Sequence, residues 1–342
     1  MERSIISFCI AAFLVLITTP LVEKLAWKMN VVDIPKDNRR VHKDPMPLMG
    51  GLSIYIGTTI SSLLFLPLNK SLLSIILAST IIVLSGIIDD AKGMSPKLKI
   101  IFQLISAMVL IFGGIKINFI TNPFANGNGL LNLGWFSIPI TLFWIIGITN
   151  TLNLIDGLDG LAVGVAMISS ISLILVASKL GNTQVVTLAA IMSGACLGFL
   201  PFNFNPARIF MGDTGALFLG FMLASISIEG VMKSVATISI MVPIFILALP
   251  IFDTTFAICR RILNRKPITA GDKSHLHHRL IGTGYSQRDT VLILYSISII
   301  FGNFSVLVVD AHRSRTVLIS MILVTIAIII ALRRGMFNDG FK

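Results

Sequence analysis

Charge is what this sequence lacks. Only 13% of its 342 residues are Asp, Glu, Lys or Arg, where a soluble domain carries about a quarter; 55% are hydrophobic and the mean hydropathy is +0.90. That scarcity excludes an ordinary soluble enzyme and a disordered chain. The three cysteines, Cys9, Cys196 and Cys259, stand in apolar surroundings at neither paired nor metal-ligand spacing. They exclude a secreted disulfide scaffold and read as small core residues. No small-residue cleavage site follows the first apolar run, so that run is expected to stay as a membrane helix. No G-x-x-x-x-G-K-[ST] loop occurs, and an ATP-driven pump has no support. The net charge of +11 would suggest nucleic acid in a soluble protein, but here its placement reports orientation and no nucleic-acid partner is expected.

What the chain has in abundance is long apolar runs. A bilayer core needs roughly 20 mostly apolar residues per helix, and on that measure spans fall near 4–22, 51–68, 72–88, 100–117, 135–152, 161–178, 185–204, 214–231, 235–251, 290–309 and 316–332. The expected fold class is therefore all-α: a polytopic integral membrane helix bundle of about eleven transmembrane helices, one domain over 1–342. Pro243 and Pro250 lie in the ninth span, where each removes a backbone donor and favours a kink or break. Lysine and arginine are retained in cytoplasmic loops. With the N-terminus outside and the C-terminus cytoplasmic, 20 of the 27 fall inside. Only Arg313 and Arg315 pull together the other way.

On that topology the acids divide even more unevenly, with only Glu2, Glu229 and Asp310 of 16 outside. Polar residues gather in four inside segments: Asp89 and Asp90 after the third span; Asn150, Asn153, Asp156 and Asp159 after the fifth; Asn203, Asn205, Arg208 and Asp213 after the seventh; Asp272, His275, His277, His278 and Arg279 after the ninth. Helices that end on one side of a bundle bring such segments into one site, and ionisable groups at membrane-helix ends are functional candidates.

Each cluster also has a plainer explanation. Asp89 and Asp90 abut Ile88, so two like charges sit where the chain leaves lipid and ask for a cation or water; the alternative is a solvated helix end. The stretch from Asn153 to Asp159 has no lysine or arginine, and its three-residue spacing places Asn153, Asp156 and Asp159 on one face if it is helical. Oxygen side chains so placed suit magnesium, which takes one or two carboxylates plus substrate phosphates; the alternative is a capped turn. Asp213 or Thr214 is an N-cap candidate for the eighth span, and that helix start also favours an anionic phosphate. The histidines lack the cysteine partners or His-Glu-x-x-His pattern of zinc sites. Beside Lys273 and Arg279 they form a donor-rich patch suited to a diphosphate, against the alternative of a basic loop serving topology alone. Acids for magnesium with histidine and arginine donors specify phosphoryl transfer at a membrane surface.

The segments IIDDAKG, NLIDGLDGLA, NPARIFMGDTG and SHLHHRL together resemble those of the polyprenyl-phosphate N-acetylhexosamine-1-phosphate transferases, glycosyltransferase family 4, over nearly the whole chain. The histidine motif resembles the branch that uses UDP-N-acetylglucosamine more than the muramoyl-pentapeptide branch. The resemblance implies attack by undecaprenyl phosphate on the β-phosphorus of a UDP-N-acetylhexosamine at the bacterial cytoplasmic (inner) membrane, releasing UMP. It implies Mg2+, with Mn2+ as a substitute, held by Asn153 and Asp213. It places Asp89 and Asp90 by the lipid phosphate, and Asp156 and Asp159 at the nucleotide sugar. His275, His277, His278 and Arg279 would hold the diphosphate or sugar, Phe210 would face uracil, and Lys43 is a further substrate-binding candidate. The expected partners are these two substrates and membrane lipid, with a homodimer left open. The alternatives are phospho-N-acetylmuramoyl-pentapeptide transfer and, from another class, a secondary transporter, whose site would lie near the bilayer midplane between repeats.

Overall fold

A computed structural model describes residues 2–34, 44–121, 130–232, 240–265, 267 and 275–310. The helices are α1 (Glu2–Lys28), α2 (Gly50–Phe65), α3 (Lys70–Lys92), α4 (Pro96–Phe112), α5 (Ser137–Ile155), α6 (Leu161–Lys179), α7 (Thr183–Asn203), α8 (Gly212–Ser227), α9 (Met241–Ile246), α10 (Ala248–Leu263), α11 (Leu276–Gly282) and α12 (Gln287–Asp310). Two short antiparallel ladders are the only strands among the described residues, pairing Val32–Asp33 with Met46–Pro47 and Phe119–Thr121 with Leu130–Asn132. Seven helical stretches are long and apolar enough to cross a bilayer, and α2 is shorter. The first ten expected spans overlap these helices; the eleventh, at 316–332, lies outside the described residues.

Local chemistry sets the helix ends. Asn69 and Asn182 accept hydrogen bonds from the backbone of Leu72 (2.9 Å) and Val185 (3.2 Å), capping α3 and α7. The ninth span breaks as its prolines require. Pro250 cannot donate to the carbonyl of Ile246, and the hydroxyl of Ser169 donates to it instead at 3.1 Å. The result is two helices meeting at Leu247.

α8 is the axle of the bundle, buried along almost its whole length and continued by one π-helical turn, Ile228–Met232. Its neighbours come close because they meet it through glycine. A Cβ on Gly51 would lie 2.1 Å from Gly215, one on Gly86 2.4 Å from the Cα of Thr214, and one on Gly220 2.7 Å from the Cα of Thr149. Small residues let membrane helices approach backbone to backbone where no hydrophobic force drives them together. α2, α3 and α5 are thereby clasped to α8, and the ends of α3 and α5 are delivered to its first turn.

Candidate active site

The start of α8 needs partners for its free backbone amides, and the sequence offers Asp213 and Thr214 as caps. Neither serves. The backbone amides of Asp213 and Thr214 donate to the carboxylate of Asp90 at 2.8 and 3.1 Å, and the Thr214 hydroxyl donates to it at 2.5 Å. Asp90 is thus a cap supplied by another helix, and it fills the place where a phosphate was expected to meet this helix start. Gly212 allows the approach: its φ is +70°, and a Cβ there would lie 2.5 Å from Asp90 Oδ2.

With Asp90 inside, its neighbour Asp89 turns a different way. The ammonium of Lys99, in the first turn of α4, bridges the carboxylates of Asp89 and Asp213. Asn153 Nδ2 donates to the other oxygen of Asp213 at 2.9 Å. A half-turn of that amide presents its carbonyl oxygen instead. No group of three or more His, Cys, Asp or Glu poised for a metal occurs among the described residues. Two carboxylates and one amide nevertheless fit magnesium, which leaves other positions of its octahedron to water and phosphate oxygens. The bridging ammonium marks where these carboxylates require positive charge.

The stretch after α5 departs from the single helical face expected for it. α5 ends at Ile155, and Asp156 to Gly160 turn away, ending with Gly160 at φ +79°. Asn153, Asp156 and Asp159 still line one cavity because the chain bends around it. Burial first, then the charges of Asp213, Asp90 and Asp159, pushes the Asp156 carboxyl up to about 8. Asp159 accepts from Asn205 Nδ2 (3.0 Å) and the amide of Ala207 (3.2 Å), tying this turn to the one before α8. α12 holds both turns. Gln287 accepts from Asn205 at 2.9 Å, Arg288 donates to the Asn205 carbonyl at 2.9 Å, and Tyr295 donates to the Gly160 carbonyl at 2.5 Å.

The three histidines do not form one exposed patch. His275 and His277 are buried, and His278 alone reaches the cavity. Burial holds His277 down at about 4, with the nearby His278 adding to the effect. Arg279 lies half-buried on α11 and is not among the residues lining the cavity.

The cavity measures about 580 Å³ and gathers Asp90, Asn153, Asp156, Asp159, Phe210 and Asp213 along with His278. Lys43 lies outside the described residues. Asn205 belongs to the polar cluster expected after the seventh span, whereas Lys99, Gln287 and Asp253 belong to none of the clusters expected to form the site. In the sequence Lys99 reads only as a topology charge. Asp253, an isolated acid in the continuation of a membrane span, carried the signal that marks functional candidates.

Comparison with known proteins adds to this geometry. Residues 72–231 match the model of a family described as glycosyl transferase family 4, a stretch that contains every acid lining the cavity except Asp33. The chain is 43% identical over its full length to a Bacillus subtilis protein named probable undecaprenyl-phosphate N-acetylglucosaminyl 1-phosphate transferase, and covers 95% of it. A decaprenyl-phosphate N-acetylglucosaminephosphotransferase of Mycolicibacterium smegmatis is 32% identical, over 95% of this chain and 88% of that protein. A phospho-N-acetylmuramoyl-pentapeptide-transferase of Desulfotalea psychrophila is 30% identical, over 89% and 92%. A full-length likeness of this order, with the acid-bearing turns inside the matched stretch, means that the chain belongs to glycosyl transferase family 4.

Proposed function

We propose that this protein transfers N-acetylglucosamine 1-phosphate from UDP-N-acetylglucosamine to undecaprenyl phosphate. The observation that carries the reading is the meeting of Asp89, Lys99, Asn153 and Asp213 at the mouth of α8, beside a cavity lined by further acids. The 43% identity to a relative named for this reaction, against 30% for one named for muramoyl-pentapeptide transfer, favours the N-acetylglucosamine donor.

In this reaction an oxygen of the lipid phosphate bonds to the β-phosphorus of the nucleotide sugar. The bond from that phosphorus to the bridging oxygen breaks, and UMP leaves with the oxygen. One phosphoanhydride replaces another, so little intrinsic driving force is needed, and a lipid phosphate at neutral pH is already nucleophilic. Catalysis is then largely positioning and charge neutralisation. Asp213 and Asn153 would hold magnesium, which supplies positive charge to the diphosphate oxygens. Lys99 brings a second positive charge to the same place, held by Asp89. Asp90 fixes the turn that carries Asp213, and Asp159 fixes the opposite wall. His278 offers the cavity a donor for phosphate or sugar oxygens, and Phe210 a flat apolar face for the base.

The site faces the cytoplasm of a bacterial inner membrane in this reading, with the N-terminus outside. The supports are the excess of lysine and arginine on the inside loops and the water solubility of the nucleotide sugar. A transporter fits less well, because these side chains gather at helix ends and not at the midplane.

The test is UMP release by the purified protein given UDP-N-acetylglucosamine and undecaprenyl phosphate, with and without magnesium. Metal-dependent release is expected. Release only with UDP-N-acetylmuramoyl-pentapeptide, or with neither donor, would overturn the assignment.

A further inference from the structure

Asp253 takes no part in the chemistry proposed above, yet it is a carboxylate only 3% exposed, on the inner face of α10. A buried carboxylate is costly unless it is hydrogen-bonded and compensated. The described partners of Asp253 both come from the histidine segment. Its Oδ2 lies 2.9 Å from His275 Nδ1, and its Oδ1 accepts from the backbone amide of Leu276 at 2.8 Å.

From that anchor a stack of rings leads to the cavity. His275 lies parallel to His277, with centroids 5.8 Å apart and planes 5° apart, and His277 meets His278 at 4.2 Å. His277 is 2% exposed, and its Nδ1 has no hydrogen-bond partner among the described residues. Its position is therefore set by packing. The other ring nitrogen faces Gly157, where a Cβ would come within 2.5 Å. His278, at the end of the stack, lines the cavity.

We propose that Asp253 is a positioning residue: by gripping His275 and the Leu276 amide it seats His277 against Gly157 and presents His278 to the nucleotide-sugar diphosphate. The substrate in this statement rests on the proposed function; the anchoring does not. Asp253 never touches substrate and acts through the stack. A carboxylate hydrogen-bonded to one imidazole nitrogen also fixes that ring's tautomer and tilt.

The experiment compares Asp253→Ala, Asp253→Asn, His278→Ala and the double variant Asp253→Ala/His278→Ala as full-length protein. UMP release is measured against each substrate in turn. Asp253→Ala is expected to lower kcat/KM for the nucleotide sugar by about ten- to a hundredfold, the scale of a small misplacement of a binding group, with KM for the lipid unchanged. Asp253→Asn is expected to recover most of the loss, because its carbonyl still accepts from Leu276 and its amide donates to the other tautomer of His275. The double variant is expected to be no worse than His278→Ala alone, since both remove the same interaction. Wild-type kinetics in Asp253→Ala, or losses that multiply in the double variant, would overturn the anchor. If Asp253→Ala does not fold, His275→Ala replaces it in the same cycle. Amide hydrogen exchange over 276–279 gives a readout independent of activity. Faster exchange there in Asp253→Ala, with α12 unchanged, supports the anchor even if the wild type releases no UMP. Unchanged exchange refutes it even if the wild type is fully active.

Discussion

Asp89 and Asp90 are adjacent and chemically identical, and their surroundings give opposite expectations for their removal. Asp90 accepts three hydrogen bonds from the first turn of α8, whereas the described partner of the Asp89 carboxylate is the Lys99 ammonium. Losing a helix cap costs about 1 kcal/mol. Each buried donor left without a partner adds roughly 1–3 kcal/mol. Relief from the cost of burying a carboxylate beside Asp213 offsets part of this, so Asp90→Ala is expected to destabilise by about 2–4 kcal/mol. Asp89→Ala leaves Lys99 paired with Asp213 and relieves the burial of a carboxylate only 8% exposed, so it is expected to cost about 1 kcal/mol or less. Thermal unfolding of the two variants in detergent, followed by tryptophan fluorescence, separates these outcomes. The midpoint should fall clearly for Asp90→Ala and little for Asp89→Ala. Equal shifts, or the reverse order, would refute the assignment of Asp90 as the cap of α8.

Other consequences follow from the same contacts. Asp213→Asn keeps the size of the side chain but removes the charge that faces Lys99; it is expected to cut magnesium-dependent UMP release by at least about a hundredfold, with the melting point within reach of wild type. Unchanged turnover would remove Asp213 from the site. Gly86→Ala puts a methyl 2.4 Å from the Cα of Thr214, where backbone cannot yield as a side chain does; a loss of about 1–3 kcal/mol is expected, read as a lower melting point that a compensating small residue elsewhere on α3 does not restore. His277 titrates near 4 in the folded protein against an ordinary 6.5. As pH falls through that window the unfolded chain binds a proton the folded one refuses, so stability drops between those values and levels off below them. The wild-type melting point should therefore decline more steeply over that range than that of His277→Asn, and parallel curves would count against the buried neutral ring.

The spans were legible because a membrane helix announces itself in one dimension. A run of apolar residues long enough to cross lipid has few other uses, and Pro243 and Pro250 sufficed to locate a break that the structure places at Leu247. The gathering of Asp89, Asn153 and Asp213 was legible for a related reason, since spans of fixed length leave their ends on two faces only. Partnership was not legible. Asp90 and Asp89 differ by one residue in sequence and by about 100° around a helix, and which of them faces α8 depends on how closely Gly86 lets the two helices approach. The same limit hid the burial of His275 and His277, whose partners Asp253 and Gly157 lie in other elements.

Lys99 shows why charge type alone misleads in such a chain. Counted with the other inside lysines it reports orientation, yet its ammonium bridges two carboxylates of the site. Lysine near a membrane surface serves topology wherever water can hydrate it, at little energetic cost. Here α4 begins just two residues after Met94, with Ser95 capping it and Pro96 in its first turn, so the chain reverses tightly and Lys99 is brought back beside the end of α3. The short turn between Gly93 and Pro96 is thus what converts a topology charge into a site charge. An acidic cluster at a membrane face implies a cation, and the lysines just across a tight reversal, here Lys97 and Lys99, are the first place to look.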